Sequence, residues 1–242
     1  MGIPFAHLTP PQAVALMEEW LNTEKNHVIV TPNPEGVMQA RRNSDFAHAL
    51  KSADLRLADG IGILLATKFK GQSLPSRVRG IDTIYDLFET LNKKGRNFTA
   101  YFLGAKPGVA QIAKENMEYR FPNLKVTGFN HGYYTKENES EIIANINSLS
   151  PDILLVCTGM PRAEIWAAEN RNLNTRLTLC LGGTLDIMSG NVRLAPDFLR
   201  KLGLEWLYRL VSQPSRFIRM LDIPKFILTV LLEEKKREKN NN

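Results

Sequence analysis

Ile153-Leu154-Leu155-Val156 is an unbroken apolar run with no polar side chain between its members. Successive side chains of a strand point to opposite faces, so such a strand must be covered on both sides. Strands are predicted at 27–31, 55–58, 98–104, 125–129, 152–158 and 177–181, and several of them are continuous apolar runs of this kind. Longer amphipathic stretches separate them, with helices predicted near 44–52, 60–69, 81–94, 107–121, 137–149 and 161–172. An earlier helix should start at Thr9, a good N-cap, followed by Pro10, and should carry Val14, Met17 and Leu21 on one face. Buried strands alternating with helices predict an α/β fold: a Rossmann-like, mostly parallel sheet flanked by helices, with an all-helical C-terminal appendage.

The alternation stops after about residue 191. From Pro196 onward the pattern is helical only. Trp206, Leu210, Phe217, Leu221, Phe226 and Val230 supply apolar positions, and Arg209, Arg216, Arg219 and Lys225 are interleaved among them. Pro214 and Pro224 are expected to divide this tract into short helices, and residues 235–242 to form a frayed polar tail. The expected division is a catalytic α/β core at 1–192 and a basic amphipathic appendage at 193–242. Charge supports that division. Of the net +6 of the 242-residue chain, five units fall in residues 193–242. A local basic excess suits a phosphate-rich partner or simply a solvated helical surface.

Several classes are set aside. Two cysteines, Cys157 and Cys180, make no disulfide framework, and both fall inside predicted buried strands as core residues. The N-terminus lacks the basic and apolar regions of a signal peptide, and no apolar run approaches the ~20 residues needed to span a bilayer. No P-loop, no nucleophile elbow and no metal-ligand histidine spacing is present, and no G-x-G-x-x-G follows the first strand. There is also no D-x-D carboxylate pair to hold a divalent cation on a diphosphate. A nucleotide-diphosphate enzyme built from this chain would need cationic side chains and backbone N–H groups in place of the metal.

Ligands of open α/β sheets bind beyond the carboxyl ends of the strands. The residues there are Thr31-Pro32-Asn33-Pro34, Asp59-Gly60-Ile61-Gly62, Gly104 to Gly108, His131-Gly132-Tyr133-Tyr134, Thr158-Gly159-Met160-Pro161 and Gly182-Gly183-Thr184-Leu185-Asp186. Asp59 stands out. It can accept a proton from a substrate hydroxyl as a general base, and the same position suits a helix N-cap. Asp186 can bond a ribose or base, or cap a turn. Asp82 and Asp86 lie one turn apart on a helix and read as surface groups or as part of its first turn. Arg77 and Arg79 occupy a polar loop that can close over a phosphorylated substrate or remain solvated. The arginine-bearing tail can pack on the core, bind nucleic acid or lie at a membrane interface.

Seven segments, in order along the chain, carry a resemblance. They are Val30 to Glu35, Ala53 to Gly62, Arg79 to Asp82, Phe102 to Ala110, Gly159 to Glu164, Gly182 to Gly190 and Leu202 to Leu210. The chain resembles the bacterial N-acetylmannosaminyltransferases of wall teichoic acid and enterobacterial common antigen synthesis (the WecG/TagA/CpsF type). The resemblance implies a metal-independent inverting transferase, with no metal and no cofactor. It would move an N-acetylmannosamine-type sugar from a UDP-sugar to N-acetylglucosamine on undecaprenyl diphosphate. The enzyme would be cytoplasmic, peripheral on the inner face of the cytoplasmic membrane through the appendage, and without a nucleic-acid partner. A homo-oligomer is compatible with it.

Residue by residue, the resemblance makes Asp59 the base and puts Thr31 and Asn33 in the sugar pocket. It matches Arg77 to a loop arginine, and Arg209, Arg216 and Arg219 to cations near the diphosphate. Gly104, Tyr133, Gly159, Gly182, Gly183 and Asp186 form the expected nucleotide-binding set. One departure bears on the donor: where relatives usually carry G-x-P-x-Q-E, the Gln position is Ala163. Another UDP-sugar, such as glucose or a uronic acid, is therefore an alternative, and a non-catalytic nucleotide- or nucleic-acid-binding module is a more remote one.

Overall fold

A computed structural model of the chain describes residues 2–212, 217 and 221–241. The six predicted strands become β1 (His27–Val30), β2 (Leu55–Arg56), β3 (Phe98–Gly104), β4 (Leu124–Asn130), β5 (Ile153–Cys157) and β6 (Leu177–Cys180). They form one sheet in the order β2-β1-β6-β5-β3-β4, and every neighbouring pair is parallel. Every residue of β1, β5 and β6 is buried, as the unbroken apolar runs require. The two edges differ. β4 is half exposed, and β2 is only two residues long. The predicted strand at 55–58 thus leaves the regular ladder early, although the Leu57 N–H still donates to the Val30 carbonyl at 2.9 Å.

Helices cover both faces. One layer holds α1 (Pro10–Trp20), α5 (Gly80–Lys93), α6 (Val109–Arg120) and the short α9 (Thr184–Met188). The other holds α2 (Pro34–Ala40), α3 (Ser44–Ser52), α4 (Ile61–Phe69), α7 (Lys136–Leu149) and α8 (Arg162–Glu169). Helix α1 starts as its sequence dictates. Pro10 opens the first turn, the Gln12 side chain accepts from the Thr9 N–H at 2.9 Å, and Val14, Met17 and Leu21 are buried. On α5, Ile81, Ile84, Leu87, Phe88 and Leu91 recur at helical spacing and are all buried. Phe88 meets Phe98 and Phe121 with ring centres 5.3 and 5.6 Å apart. Two helices, α2 and α9, fall where the sequence suggested only loops. The signal for α2 was the same as for α1: Asn33 caps it through a 2.9 Å bond from the Gly36 N–H, and Pro34 follows.

Beyond residue 192 the described residues form α10 (Asp197–Lys201), α11 (Glu205–Ser212) and α12 (Asp222–Asn241). α12 packs on α2 and α4 through Phe226 and Val230, both buried. Ion pairs surround that contact. Arg42 meets Asp222, and Glu233 meets Arg41 at 2.5 Å and Lys70 at 2.6 Å. Pro224 lies in the first turn of α12, at a helix start, where no helical N–H bond is lost. One expectation is corrected. Residues 235–241 are helical rather than frayed, as strong helix formers continue from Leu231 to Lys239. Pro214 lies outside the described residues.

The topology sets where a ligand can enter. β3 continues into α6 on one face, whereas its neighbour β5 continues into α8 on the other. β1 and β6 split in the same way, toward α2 and α9. Neighbouring strands whose connections leave on opposite faces open a crevice at their carboxyl ends.

Candidate active site

At the β1–β2 end, the chain leaves β1 through Thr31 and Pro32 to Asn33, and leaves β2 through Leu57 and Ala58 to Asp59. The Asp59 N–H donates to the Pro32 carbonyl at 3.3 Å, which ties the two loops together. The N-cap residue of α4 is Gly60, at φ 96°, so Asp59 stands one residue before the cap position. The Val78 N–H donates to the Ala58 carbonyl at 3.0 Å, which sets the arginine loop beside Asp59. Asn33, Asp59 and Arg77 line one cavity of about 250 Å³. Asn33 spends its Oδ1 on the α2 cap, so its amide N–H groups are what it can offer a ligand. Thr31 is half-buried, and its side chain packs against Gly80 at the start of α5.

The opposite wall of this cavity comes from the C-terminal tract: Gly203, Glu205, Trp206, Ile223 and Ile227. Gly203 rests on Ile61, the residue that opens α4. The Arg77 Nη2 donates to the Arg200 carbonyl at 2.8 Å. Arg79 pairs with Asp82 and lies 3.7 Å from Glu205, and Arg200 pairs with Asp82 at 2.6 Å and with Asp197 at 3.0 Å. Asp82 lies in the first turn of α5, as one of its two sequence readings has it, and there it joins two arginines rather than standing as a solvated surface group. The motif Arg79 to Asp82 had signalled only a resemblance, and nothing in its spacing announced partners 118 residues away.

A second constellation lies at the carboxyl ends of β3, β5 and β6. Gly104 adopts φ 142°, and a Cβ there would fall 2.4 Å from the Cys157 backbone, so only glycine fits between β3 and β5. The Gly132 N–H donates to the Ala105 carbonyl at 2.8 Å. Arg162 at the start of α8 reaches across, donating to the Gly132 carbonyl at 2.7 Å and stacking over the Tyr134 ring at 4.3 Å. These contacts hold Gly132 and Tyr134 against the loops that follow β3 and β5, beside the crevice. Tyr133 is largely exposed beside it. Gly182 and Gly183 lead into α9, which carries Asp186. The Thr158 Oγ1 is buried without a hydrogen-bond partner in this region, as is the Glu164 Oε2. Burial pushes the Glu164 carboxyl up to about 7.

The expected residues therefore fall into two neighbouring groups: Asn33, Asp59 and Arg77 around one cavity, and the glycine loops with Tyr133 and Asp186 around the crevice. Arg209 belongs to α11, whereas Arg216 and Arg219 lie outside the described residues. Ala163 is buried in the α8-side core, and other residues line the Asp59 cavity. Cys157 and Cys180 are core residues, with burial raising the Cys157 thiol to about 12 and driving Cys180 upward as well. Among the described residues, no group of three or more His, Cys, Asp or Glu side chains could hold a metal ion. What sequence reasoning missed is the wall opposite Asp59, with Glu205 and Trp206, and the ion pairs behind it. Glu205 and Trp206 sit in the segment 202–210, to which the resemblance gave a part in completing the site without singling out either residue.

A carboxylate, an asparagine amide and an arginine thus gather at one carboxyl edge of an open parallel sheet, where such sheets bind ligands, and the fold alone does not name the chemistry. Comparison with known proteins makes this specific: residues 1–240 match the Glycosyl transferase WecG/TagA/CpsF family, and the chain belongs to it. It is similar to the N-acetylglucosaminyldiphosphoundecaprenol N-acetyl-beta-D-mannosaminyltransferase of Bacillus spizizenii strain W23. The two are 35% identical over 217 residues, which is 89% of this chain and 83% of the relative. A protein of the same name from Bacillus subtilis strain 168 is 33% identical over 239 residues, 98% of this chain and 92% of the relative. The Staphylococcus aureus counterpart is 28% identical over 242 residues, 99% and 94% respectively.

Proposed function

We propose that this glycosyltransferase moves N-acetylmannosamine, or a closely related sugar, from UDP to N-acetylglucosamine carried on undecaprenyl diphosphate. Asp59 accepts the proton of the acceptor hydroxyl as that oxygen attacks the anomeric carbon. The sugar–phosphate bond breaks, and its electrons leave on UDP with inversion. Asn33 holds the sugar, and Arg77, with cations of the 193–242 appendage, stabilises the departing diphosphate without a metal ion. The crevice formed by the loops at Gly104, Gly159 and Gly182 takes the nucleotide. The carrying observation is that Asp59, Asn33 and Arg77 share one cavity whose far wall belongs to the appendage. A general base contributes about 10²–10⁴-fold, so it is a large part of such a site but not all of it.

A lipid-linked acceptor needs a way to reach this cavity. Ile61, Leu65 and Phe69 recur every fourth residue along α4 and are exposed, and Ile227 and Leu231 of the adjoining α12 are exposed too. This apolar strip borders the Asp59 cavity through Ile61, Leu65 and Ile227. It supports peripheral docking at a membrane surface, with the lipid tail left in the bilayer. No helix among the described residues is long and apolar enough to cross a membrane.

The test is acceptor-dependent UDP release with EDTA present, using a short-chain lipid-diphosphate N-acetylglucosamine acceptor and a panel of UDP-sugars. UDP-N-acetylmannosamine is expected to be the best donor. A preference for UDP-glucose or a UDP-uronic acid would reassign the donor. Absence of turnover with every donor, together with salt-sensitive binding to DNA or RNA, would favour a binding module instead.

A further inference from the structure

Arg79, Asp82, Arg200 and Glu205 carry four alternating charges on side chains only 15–29% exposed. Asp82 is the bridge between the two arginines: it pairs with Arg79 within its own turn and with Arg200 from α10 at 2.6 Å. Glu205, at the start of α11, lies on the other side of Arg79 at 3.7 Å, an ion pair beyond hydrogen-bond reach. The segment these bonds fasten is the one that walls the Asp59 cavity, through Gly203, Glu205 and Trp206. Arg77 is tied to the same segment, because its Nη2 donates to the Arg200 carbonyl. Little apolar packing fastens this segment: Phe198, Leu202, Leu207 and Val211 are exposed. We propose that Asp82 is a positioning residue, holding residues 197–206 against the core and so setting Arg77 and Trp206 at the Asp59 cavity.

The physical reason is the arrangement of sign. Without the Asp82 carboxylate, two partly buried guanidinium groups lose the negative charge between them, and each repels the other. Moving α10 away relieves that repulsion. The same motion draws the Arg200 carbonyl off Arg77 and opens the cavity wall, while the crevice at Gly104 and Gly159, on other strands, is untouched. Asp82 acts through Arg200 and Arg79 and does not itself line the Asp59 cavity.

This rests on the glycosyl-transfer reading, and the experiment separates the two. Asp82→Asn, Arg200→Gln and the double variant are compared with wild type by amide hydrogen exchange, by UDP affinity and by steady-state turnover. In each single variant, exchange in residues 197–206 should rise about tenfold or more, while exchange in β3 and β5 stays at the wild-type rate. UDP affinity should stay within about threefold, and kcat should fall about tenfold, as coupling of contacting charges allows. The double variant should be no worse than either single one, because both remove the same tie. Unchanged exchange at 197–206 would overturn the proposal, as would losses that multiply in the double variant. A uniform rise of exchange through the core would overturn it too, since Asp82 would then be merely structural. If wild type shows no transferase activity, the exchange arm still decides the tie while the functional reading fails.

Discussion

Two buried or crowded side chains give residue-scale predictions with a definite sign. Glu164 has its carboxyl pushed up to about 7 by burial. A raised carboxyl contributes stability that is fully present below the unfolded value of 4.5 and is lost as pH rises through about 7. Glu164→Gln should therefore remove the fall in Tm that wild type shows between about pH 5 and pH 8, with the larger gain at the upper end. Parallel Tm-against-pH curves for the two proteins would contradict this. Arg77 offers the second case. Its planar fork donates to the Arg200 carbonyl while lining the Asp59 cavity. A lysine keeps the charge but not the fork, so Arg77→Lys should retain UDP binding and lose about tenfold in kcat/KM for the lipid acceptor. Asp59 itself is legible in the sequence, because it follows an apolar run and precedes Gly60-Ile61-Gly62. Arg77 reads from the residues as one arginine of two in a loop and is singled out there by the resemblance, and the Val78–Ala58 bond sets that loop beside Asp59.

At the scale of elements, the sheet was readable and the small helices were not. Buried parallel strands announce themselves as unbroken apolar runs, and β1, β3, β5 and β6 fell within a residue or so of their expected ranges. Edge strands carry less apolar signal, so β2 shrank to two residues. α2 and α9 are seven and five residues long, too short for a helical period to show. The docking of α12 was also illegible, because its contacts lie about 180–190 residues away along the chain, as in Arg42–Asp222 and Arg41–Glu233. That docking gives two predictions. Phe226→Ala should cost about 3–5 kcal/mol of local stability and raise hydrogen exchange along α12 before the sheet exchanges. Exchange of α12 at the wild-type rate would show that Phe226 does not anchor it. Lys70 and Arg41 hold the Glu233 carboxyl at about 2. A depressed carboxylate contributes stability present above its unfolded value of 4.5, lost as pH falls through about 2. Acid should thus loosen α12 in that window, and Glu233→Gln should loosen it at neutral pH.

On the scale of the whole molecule, donor crevice, acceptor cavity and apolar strip are proposed to act together. The strip of α4 and α12 should bind vesicles containing anionic lipid, and Phe69→Glu with Leu231→Glu should abolish that binding while leaving Tm nearly unchanged. Loss of self-association in the absence of lipid, with vesicle binding intact, would instead make the strip a contact between copies. The central claim is that Asp59 is the base of sugar transfer, and it is tested most directly by Asp59→Asn. Acceptor-dependent turnover and UDP affinity should be measured on the same preparation. The expected result is a loss of about 10²–10⁴-fold in turnover with UDP affinity unchanged. Turnover at the wild-type rate would remove Asp59 from the mechanism and, with it, the reason for assigning catalysis to this cavity.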